Sequence, residues 1–353
     1  MAIRGKSPWS RRAGPWTKRA EYTGPGNPIG LPAMRSTLAF LFMIALLAAQ
    51  EGPVFRAGVA LVHVDAEVTA ADGRILTGFT KEDFRVYDER KPQAIVIFAA
   101  EEQPLDLILL FDVSRSMRAV VESVAASARQ AFQELRPGDR VSVMVFNTRS
   151  RVVAPFTEDL EAVDRTIRED VLGGTFDGGT LIQQAVDDAA VRFLHEKRSQ
   201  RRRAVLIITD NMGQRTRREQ TVVRDFWEAD ALLSGLIVSN PAFQTMRTVG
   251  IILGPQNLLM EAGMKGIAQK TGGDAIRADA PAQAFQDAMH RIRSRYSLYY
   301  EMPNAKPGST RTIHAELSAE AAKRFPKSRV RARTGYVVPA TAQTEGTRGA
   351  EHR

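Results

Sequence analysis

From Leu105 onward the chain alternates short apolar runs with amphipathic helical segments, and this alternation leaves few folds open. "LDLILLF" (105–111), "RVSVMVFN" (140–147), "AVLIITD" (204–210) and "TVGIILG" (248–254) are nearly continuous runs of branched or large apolar residues. A strand with no polar alternation must be covered on both faces, which is the condition of a parallel sheet wrapped by helices. Residues 118–136 supply one such helix, with Val120, Val124, Ala128, Phe132 and Leu135 at helical spacing until Arg136-Pro137-Gly138-Asp139 stops it. Residues 181–194 supply another through Ile182, Ala185, Val186, Ala189 and Phe193. The expected fold class is α/β, with a doubly wound, mostly parallel sheet over residues 103–294.

The flanks carry a different period. "AGVALVHVDAEVTAADG" (57–73) puts Ala60, Val62, Val64, Ala66 and Val68 on one face of a half-buried strand, and Asp72-Gly73 marks a turn. "DFRVYDE" and "QAIVIFAAE" follow as strands, separated by a turn expected at Arg90-Lys91-Pro92. Beyond the helical region, "SRYSLYYEM", "RTIHAEL" and "RVRARTGYVV" again look like strands. The segments 54–102 and 295–339 are expected to pair into one small antiparallel β module with the α/β domain inserted between them, and 340–353 to be a disordered tail.

The chain has 353 residues and a net charge of +9. Residues 1–49 hold seven Lys or Arg against the single acid Glu21, which leaves 42 basic and 39 acidic residues beyond them. So near-balanced a body is no polyanion footprint, and no nucleic-acid partner is expected. One basic cluster, Lys197, Arg198, Arg201, Arg202 and Arg203, reads as a solvated helix end and connector. The absence of cysteine excludes disulfides, thiolate metal sites and cysteine nucleophiles. Compartment is instead read from "TLAFLFMIALLAA" (37–49), preceded by Arg35 and closed by small residues. That run is short for a membrane span of about 20 residues and has the proportions of a signal peptide over 34–49, with an uncleaved anchor as the membrane-bound alternative. Residues 1–33 read as a leader, or as a start-site artefact with Met34 the true start. The protein is expected to be exported, to a periplasmic, cell-envelope or secreted location.

In doubly wound sheets, ligands bind beyond the carboxyl ends of the strands. The first strand ends there on Asp112, Ser114 and Ser116, "AVLIITD" ends on Asp210, and "GGTFDGGT" delivers Thr180 to the start of the second helix. These five residues form the candidate metal site. Two carboxylates, several hydroxyls and room for water suit a hard divalent cation; Mg2+ is favoured, and the same ligands would accept Mn2+ or Ca2+. Each of these side chains alone is ordinary helix-capping or turn chemistry. Thr175, in a duplicate Gly-Gly-Thr, competes with Thr180, which is preferred because it opens the helix.

Asp112-Val113-Ser114-Arg115-Ser116, with Gly178-Gly179-Thr180 and Thr209-Asp210, resembles the metal-ion-dependent adhesion site of von Willebrand factor type A domains. "GFTKEDFRVYDERKPQAIVIF", "IAQKTGGDAIRA", "RIRSRYSLYYE" and "RVRARTGYVVP" extend the likeness to a bacterial, exported group of such proteins, over roughly residues 54–339. The resemblance implies that Ser114, Ser116 and Thr180 offer hydroxyls to the metal, that Asp112 binds directly or through water, and that Asp210 acts mostly through water. It also implies a protein partner whose acidic side chain fills the open metal position. Two residues depart from the pattern: Arg115 and Asn211 stand where many relatives have Gly, and Asn tolerates the left-handed backbone better than most residues.

An enzyme is not expected. The sequence has no GxxxxGK[ST], HExxH or GxSxG, and none of His63, His195, His290, His314 and His352 has a catalytic context. The alternative to adhesion is a type A scaffold subunit of a multiprotein assembly, against which an export signal discriminates.

Overall fold

A computed structural model describes residues 60–100, 103–196, 201–213, 216–238 and 262–340. The chain runs through strands β1 (Leu61–Thr69), β2 (Phe84–Asp88), β3 (Lys91–Gln93), β4 (Ile95–Ala100) and β5 (Leu105–Asp112), then helix α1 (Arg118–Ala131). Strands β6 (Arg140–Phe146) and β7 (Ser150–Thr157) precede α2 (Leu160–Thr166) and α3 (Ile182–Leu194). Then follow β8 (Arg202–Thr209), α4 (Glu219–Glu228), β9 (Ala231–Val238), α5 (Met264–Thr271), β10 (Ala275–Ala278) and α6 (Pro281–Arg293). The last elements are β11 (Tyr296–Glu301), β12 (Thr310–Leu317), α7 (Ala319–Arg324), β13 (Arg329–Arg331) and β14 (Gly335–Val337). The leader and apolar run (1–49), the strand expected over 248–254 and the tail from 341 lie outside the described residues.

The central sheet has the order β10-β9-β8-β5-β6-β7, parallel except for the antiparallel edge strand β7. All eight residues of β5 are buried. Leu105, Leu107, Leu109 and Phe111 pack with α1, α2 and α6 on one face, and Ile108 and Leu110 with α3, α4 and α5 on the other. This is the doubly wound fold expected. Helix α1 is shorter than expected: it ends at Ala131 and a 3-10 turn spans Phe132–Glu134. Its buried stripe is Val121, Val124, Ala125, Ala128 and Ala131, while Val120 is only partly covered. An i, i+3, i+4 stripe through Val121 fills the groove that a single row through Val120 would leave.

The flanking segments form two antiparallel sheets, β13-β1-β11-β4 and β14-β12-β2-β3. Each contains strands from both sides of the α/β domain, as β1 pairs with β11 and β2 with β12. Val62, Val64, Ala66 and Val68 of β1 share one core with Phe84, Val86, Leu298, Ile313 and Tyr336. The carboxylate of Asp88, fully buried, accepts hydrogen bonds from Tyr300 (2.8 Å), Tyr336 (2.9 Å) and Arg311 Nε (2.7 Å), tying the sheets at a polar point. The turn expected at Arg90-Lys91-Pro92 lies one residue earlier. Glu89 and Arg90 both have positive φ, and Lys91-Pro92 begins the edge strand β3, where a missing proline N–H is tolerated.

The basic cluster of the second connector is not solvated where it is described. Arg202 is 1% exposed; its guanidinium donates to the carbonyls of Ile292 (2.6 Å) and Arg293 (3.2 Å) at the end of α6, and to Asp65 of β1 (3.1 Å). Arg201 binds Asp106 at 2.5 Å, and Arg203 donates to the Ala229 carbonyl at 3.0 Å. These arginines satisfy helix-end carbonyls and buried carboxylates where the β module meets the sheet. Charge runs look solvated in sequence because their partners are distant along the chain.

Candidate metal centre at the carboxyl edge of the sheet

Strands β6 and β8 lie on opposite sides of β5, so the chain leaves β5 in one direction and returns on the other. A crevice opens at the carboxyl end of the central strand of such a switch point. Asp112 closes β5 there, fully buried, with Oδ1 accepting from the Ser114 amide (2.9 Å) and Oδ2 from the Thr209 hydroxyl (2.7 Å). Ser114, in extended conformation, starts the 3-10 turn Arg115–Met117 and thereby brings Ser116 back over the strand end. The two serine hydroxyls are 3.5 Å apart, and Ser116 donates to Asp210 Oδ2 at 2.8 Å. Asp210 Oδ1 accepts the Met212 amide at 3.0 Å, a turn that requires Asn211 at φ 59°, the left-handed region asparagine accommodates.

Asp112, Ser114, Ser116 and Asp210 are thus gathered into one hydrogen-bonded chain across two strand ends. Thr180 reaches the same rim by backbone contact. A Cβ placed on Gly213 would sit 2.7 Å from the Thr180 carbonyl, so the loop after Asp210 and the loop before α3 touch there. Gly178 at φ 72° turns that loop, and Leu181 donates to the Asn147 carbonyl (2.9 Å) at the end of β6. Thr175 is exposed on a separate turn, where Arg118 donates to the carbonyls of Leu172 (3.2 Å) and Gly174 (3.3 Å). Arg115 is exposed beside the site.

Sequence reasoning quotes Thr209 beside Asp210 but gives it no role. Its hydroxyl is fully buried, donates to Asp112 and accepts the Asn211 amide (3.1 Å), so it fixes both carboxylate-bearing turns at once. The signal was available as a polar residue closing an otherwise apolar run, immediately before Asp210.

The electrostatics single out Asp112. The other buried acids each meet an arginine: Glu67 meets Arg291, Arg295 and Arg331, Asp83 meets Arg324, Asp88 meets Arg311, and Asp106 meets Arg140 and Arg201. Asp139, Asp164 and Asp187 pair likewise with Arg293, Arg168 and Arg217. Among the described residues Asp112 has only neutral donors. Burial pushes its carboxyl up to about 6 against the pull of the Ser114 and Thr209 hydrogen bonds, with Asp210 adding to the rise. A buried carboxylate without a cation is costly, and a bound cation removes that cost.

The donor set fits a hard divalent ion. Each Asp112 oxygen retains a lone pair beyond its one hydrogen bond, the hydroxyls of Ser114 and Ser116 adjoin it, and Asn211 Oδ1 is buried with no donor among the described residues. No three His, Cys, Asp or Glu residues gather into a metal-binding group among the described residues. Three histidines meet acids outside the candidate ligands: His63 contacts Asp230, His290 contacts Glu134 and His314 contacts Glu316.

Residues 107–214, which contain all five candidate ligands, match the family model of the von Willebrand factor type A domain. This segment is a von Willebrand factor type A domain. Domains of this type generally mediate protein–protein interaction and are typically not enzymes. Among solved structures, the chain is similar to an aerotolerance-related membrane protein from Bacteroides fragilis NCTC 9343 with multiple mutations to serines (18% identity, 53% of this chain and 98% of that chain, TM-score 0.42). It is similar also to the conserved hypothetical protein BatB from Bacteroides thetaiotaomicron (19%, 53% and 97%, TM-score 0.42). A third is proximal thread matrix protein 1 from the mussel byssus, with a zinc-occupied MIDAS motif (12%, 60% and 50%, TM-score 0.44). No curated protein matches the chain.

Proposed function

We propose that the type A domain is a metal-ion-dependent protein-binding module of an exported protein, in which one divalent cation joins the domain to a carboxylate of its partner. The observation that carries this reading is Asp112, a buried carboxylate with no arginine among the described residues, at the head of a hydrogen-bonded chain of hydroxyls and a second carboxylate. Ser114, Ser116 and Thr180 would give hydroxyl oxygens to the ion, Asp112 would bind it directly or through water, and Asp210 would act through water. Mg2+ suits so small an all-oxygen set, with Mn2+ and Ca2+ as competitors. The metal binds and bridges; no bond of the partner is broken.

Export rests on the apolar run 37–49 and its basic flank. Sequencing the mature N-terminus tests it: a chain beginning near residue 50 supports export, and one beginning at Met1 refutes it. Among the described residues no helix is long and apolar enough to cross a membrane.

The metal reading is tested by calorimetric titration of Mg2+ and Mn2+ into the EDTA-treated chain and its Asp112→Ala variant. Saturable binding that the variant loses is expected. A wild-type chain that takes up neither ion would refute a resident metal and leave a metal-independent interaction module.

A further inference from the structure

Gln183 is the second residue of α3 and follows Thr180 closely along the chain, yet it is only 2% exposed. A buried amide must find protein partners or lose the hydrogen bonds that water would give it. Gln183 finds both on segments that reach the candidate site. Its Oε1 accepts the Arg217 amide at 3.0 Å, on the segment that follows Asp210, and its Nε2 donates to the Ala262 carbonyl at 3.0 Å, where the chain enters α5. Ala262 leads back to the site, its own amide donating to the Asn211 carbonyl at 3.1 Å. One side chain therefore joins three backbone segments: the one that carries Thr180, the one that carries Asp210 and the one that precedes α5.

Its neighbours reinforce the joint. Gln184, next along α3, accepts from Arg217 Nε at 2.8 Å and donates to Asp188 at 2.7 Å, so Arg217 is held by backbone and side chain at once. Nearer the site, the Cβ that Gly213 lacks would lie 2.7 Å from the Thr180 carbonyl. Close backbone contact stops the two loops from approaching further, and the Gln183 bridges stop them from parting. Neither restraint uses the side chain of a candidate ligand, so the gap is set before an ion arrives. Cations differ in how they answer to such a gap: Mg2+ demands near-octahedral oxygens at about 2.1 Å, whereas Ca2+ takes more oxygens at about 2.3–2.6 Å in a flexible shell.

We propose that Gln183 is a positioning residue that sets the cation selectivity of the centre: by bracing the Thr180 and Asp210 loops against each other it favours Mg2+ over Ca2+. The role rests on the metal reading of the site. Loosening the brace costs the geometrically demanding ion more than the tolerant one.

Two variants test it in the full chain. Gln183→Met keeps the side-chain length and removes both bridges, while Gln183→Glu keeps the acceptor for Arg217, loses the donor to Ala262 and carries the test if Gln183→Met fails to fold. Mg2+ and Ca2+ are titrated separately by calorimetry into each metal-stripped chain. The ratio of the Ca2+ to the Mg2+ dissociation constant should fall roughly ten-fold in Gln183→Met, about the worth of one buried hydrogen bond, and by less in Gln183→Glu. A merely structural role moves both affinities together and leaves the ratio alone. Hydrogen exchange in EDTA supplies a readout that needs no metal: the Arg217 amide should be protected in wild type and exchange faster in Gln183→Met, with the circular dichroism spectrum unchanged. An unchanged ratio in variants that still bind, or an Arg217 amide as open in wild type as in Gln183→Met, would overturn the proposal. A wild-type chain that binds neither ion while its Arg217 amide stays protected would end the selectivity role through the metal reading and leave the brace standing, so the two failures are told apart.

Discussion

Glu67→Gln tests how the β module is fastened to the type A domain. Glu67 is 1% exposed on β1 and accepts from Arg291 (3.1 Å) at the end of α6, from Arg295 (3.2 Å) and from Arg331 (3.1 Å). Removing one partner of a buried ion pair costs about 3–5 kcal/mol, because the other charge stays buried. Here the three cations are not equally stranded. Arg291 and Arg331 have side chains 23% and 28% exposed and can rehydrate, and Arg331 keeps Asp274 at 2.9 Å. Arg295 is 1% exposed but keeps Asp65 at 3.2 Å. The loss therefore belongs at the low end, about 3 kcal/mol. Urea unfolding followed by circular dichroism reads it as a lower midpoint at unchanged slope. The double variant Glu67→Met with Arg295→Met should recover most of the loss, since an apolar pair of similar volume often replaces a buried ion pair without penalty. A loss below about 1 kcal/mol, the level of a solvent-screened surface pair, would refute the reasoning and leave the shared apolar contacts as the fastening.

Two further outcomes follow from the geometry. Gly213→Ala should weaken Mg2+ uptake by the chain with little change in its urea midpoint, because a Cβ there would meet the Thr180 carbonyl at 2.7 Å and push the two site loops apart; unchanged calorimetric affinity would exclude that contact as the one holding Thr180 in place. Asp225 on α4 is pushed up to about 7, first by burial and then by a shared hydrogen bond and repulsion with Asp187. The folded chain thus holds a proton that the unfolded chain releases near pH 4, so this group's contribution to stability falls as pH rises from about 4 to 7. Asp225→Asn should match wild type at pH 4 and exceed it at pH 8 by on the order of 1 kcal/mol, discounted for partial exposure. A difference that does not vary with pH in thermal melts would remove the carboxylate pair as its cause.

The sequence is most legible where burial is two-sided and local. The run Leu105–Phe111 can only be a central strand, and helix α3 buries the five residues its spacing selects. Legibility fails where the deciding partner is remote. Strand β9, "ALLSGLIV", is as apolar and as buried as β8, yet Ser234 and Gly235 interrupt it and hide it from a search for unbroken runs. A Cβ on Gly235 would meet Ile237 Cδ1 at 3.3 Å but only make ordinary contact with Ala275 Cα of β10 at 3.9 Å. The turn expected at Arg90-Lys91-Pro92 falls at Glu89-Arg90 for a related reason: Pro92 signals a turn locally and an edge strand only once β2 is beside it.

The candidate site divides along the same line. Asp112, Ser114, Ser116 and Asp210 are visible as polar residues that end apolar strands, and Thr180 as the residue opening a helix. What the sequence does not show is why this edge differs from the other. Both ends of β5 carry a buried aspartate, Asp106 and Asp112. Asp106 is met by Arg140 at 2.7 Å and Arg201 at 2.5 Å, arginines that begin or precede the two neighbouring strands. Asp112 is met by Ser114 and Thr209. Arginines at the amino ends of the strands neutralise one edge internally and fasten it, while the Ser114 amide and the Thr209 hydroxyl at the carboxyl ends hold the other carboxylate in place without neutralising it. Only the second arrangement leaves a charge for an external cation to satisfy, and so an edge that can bind rather than one that only holds the fold together.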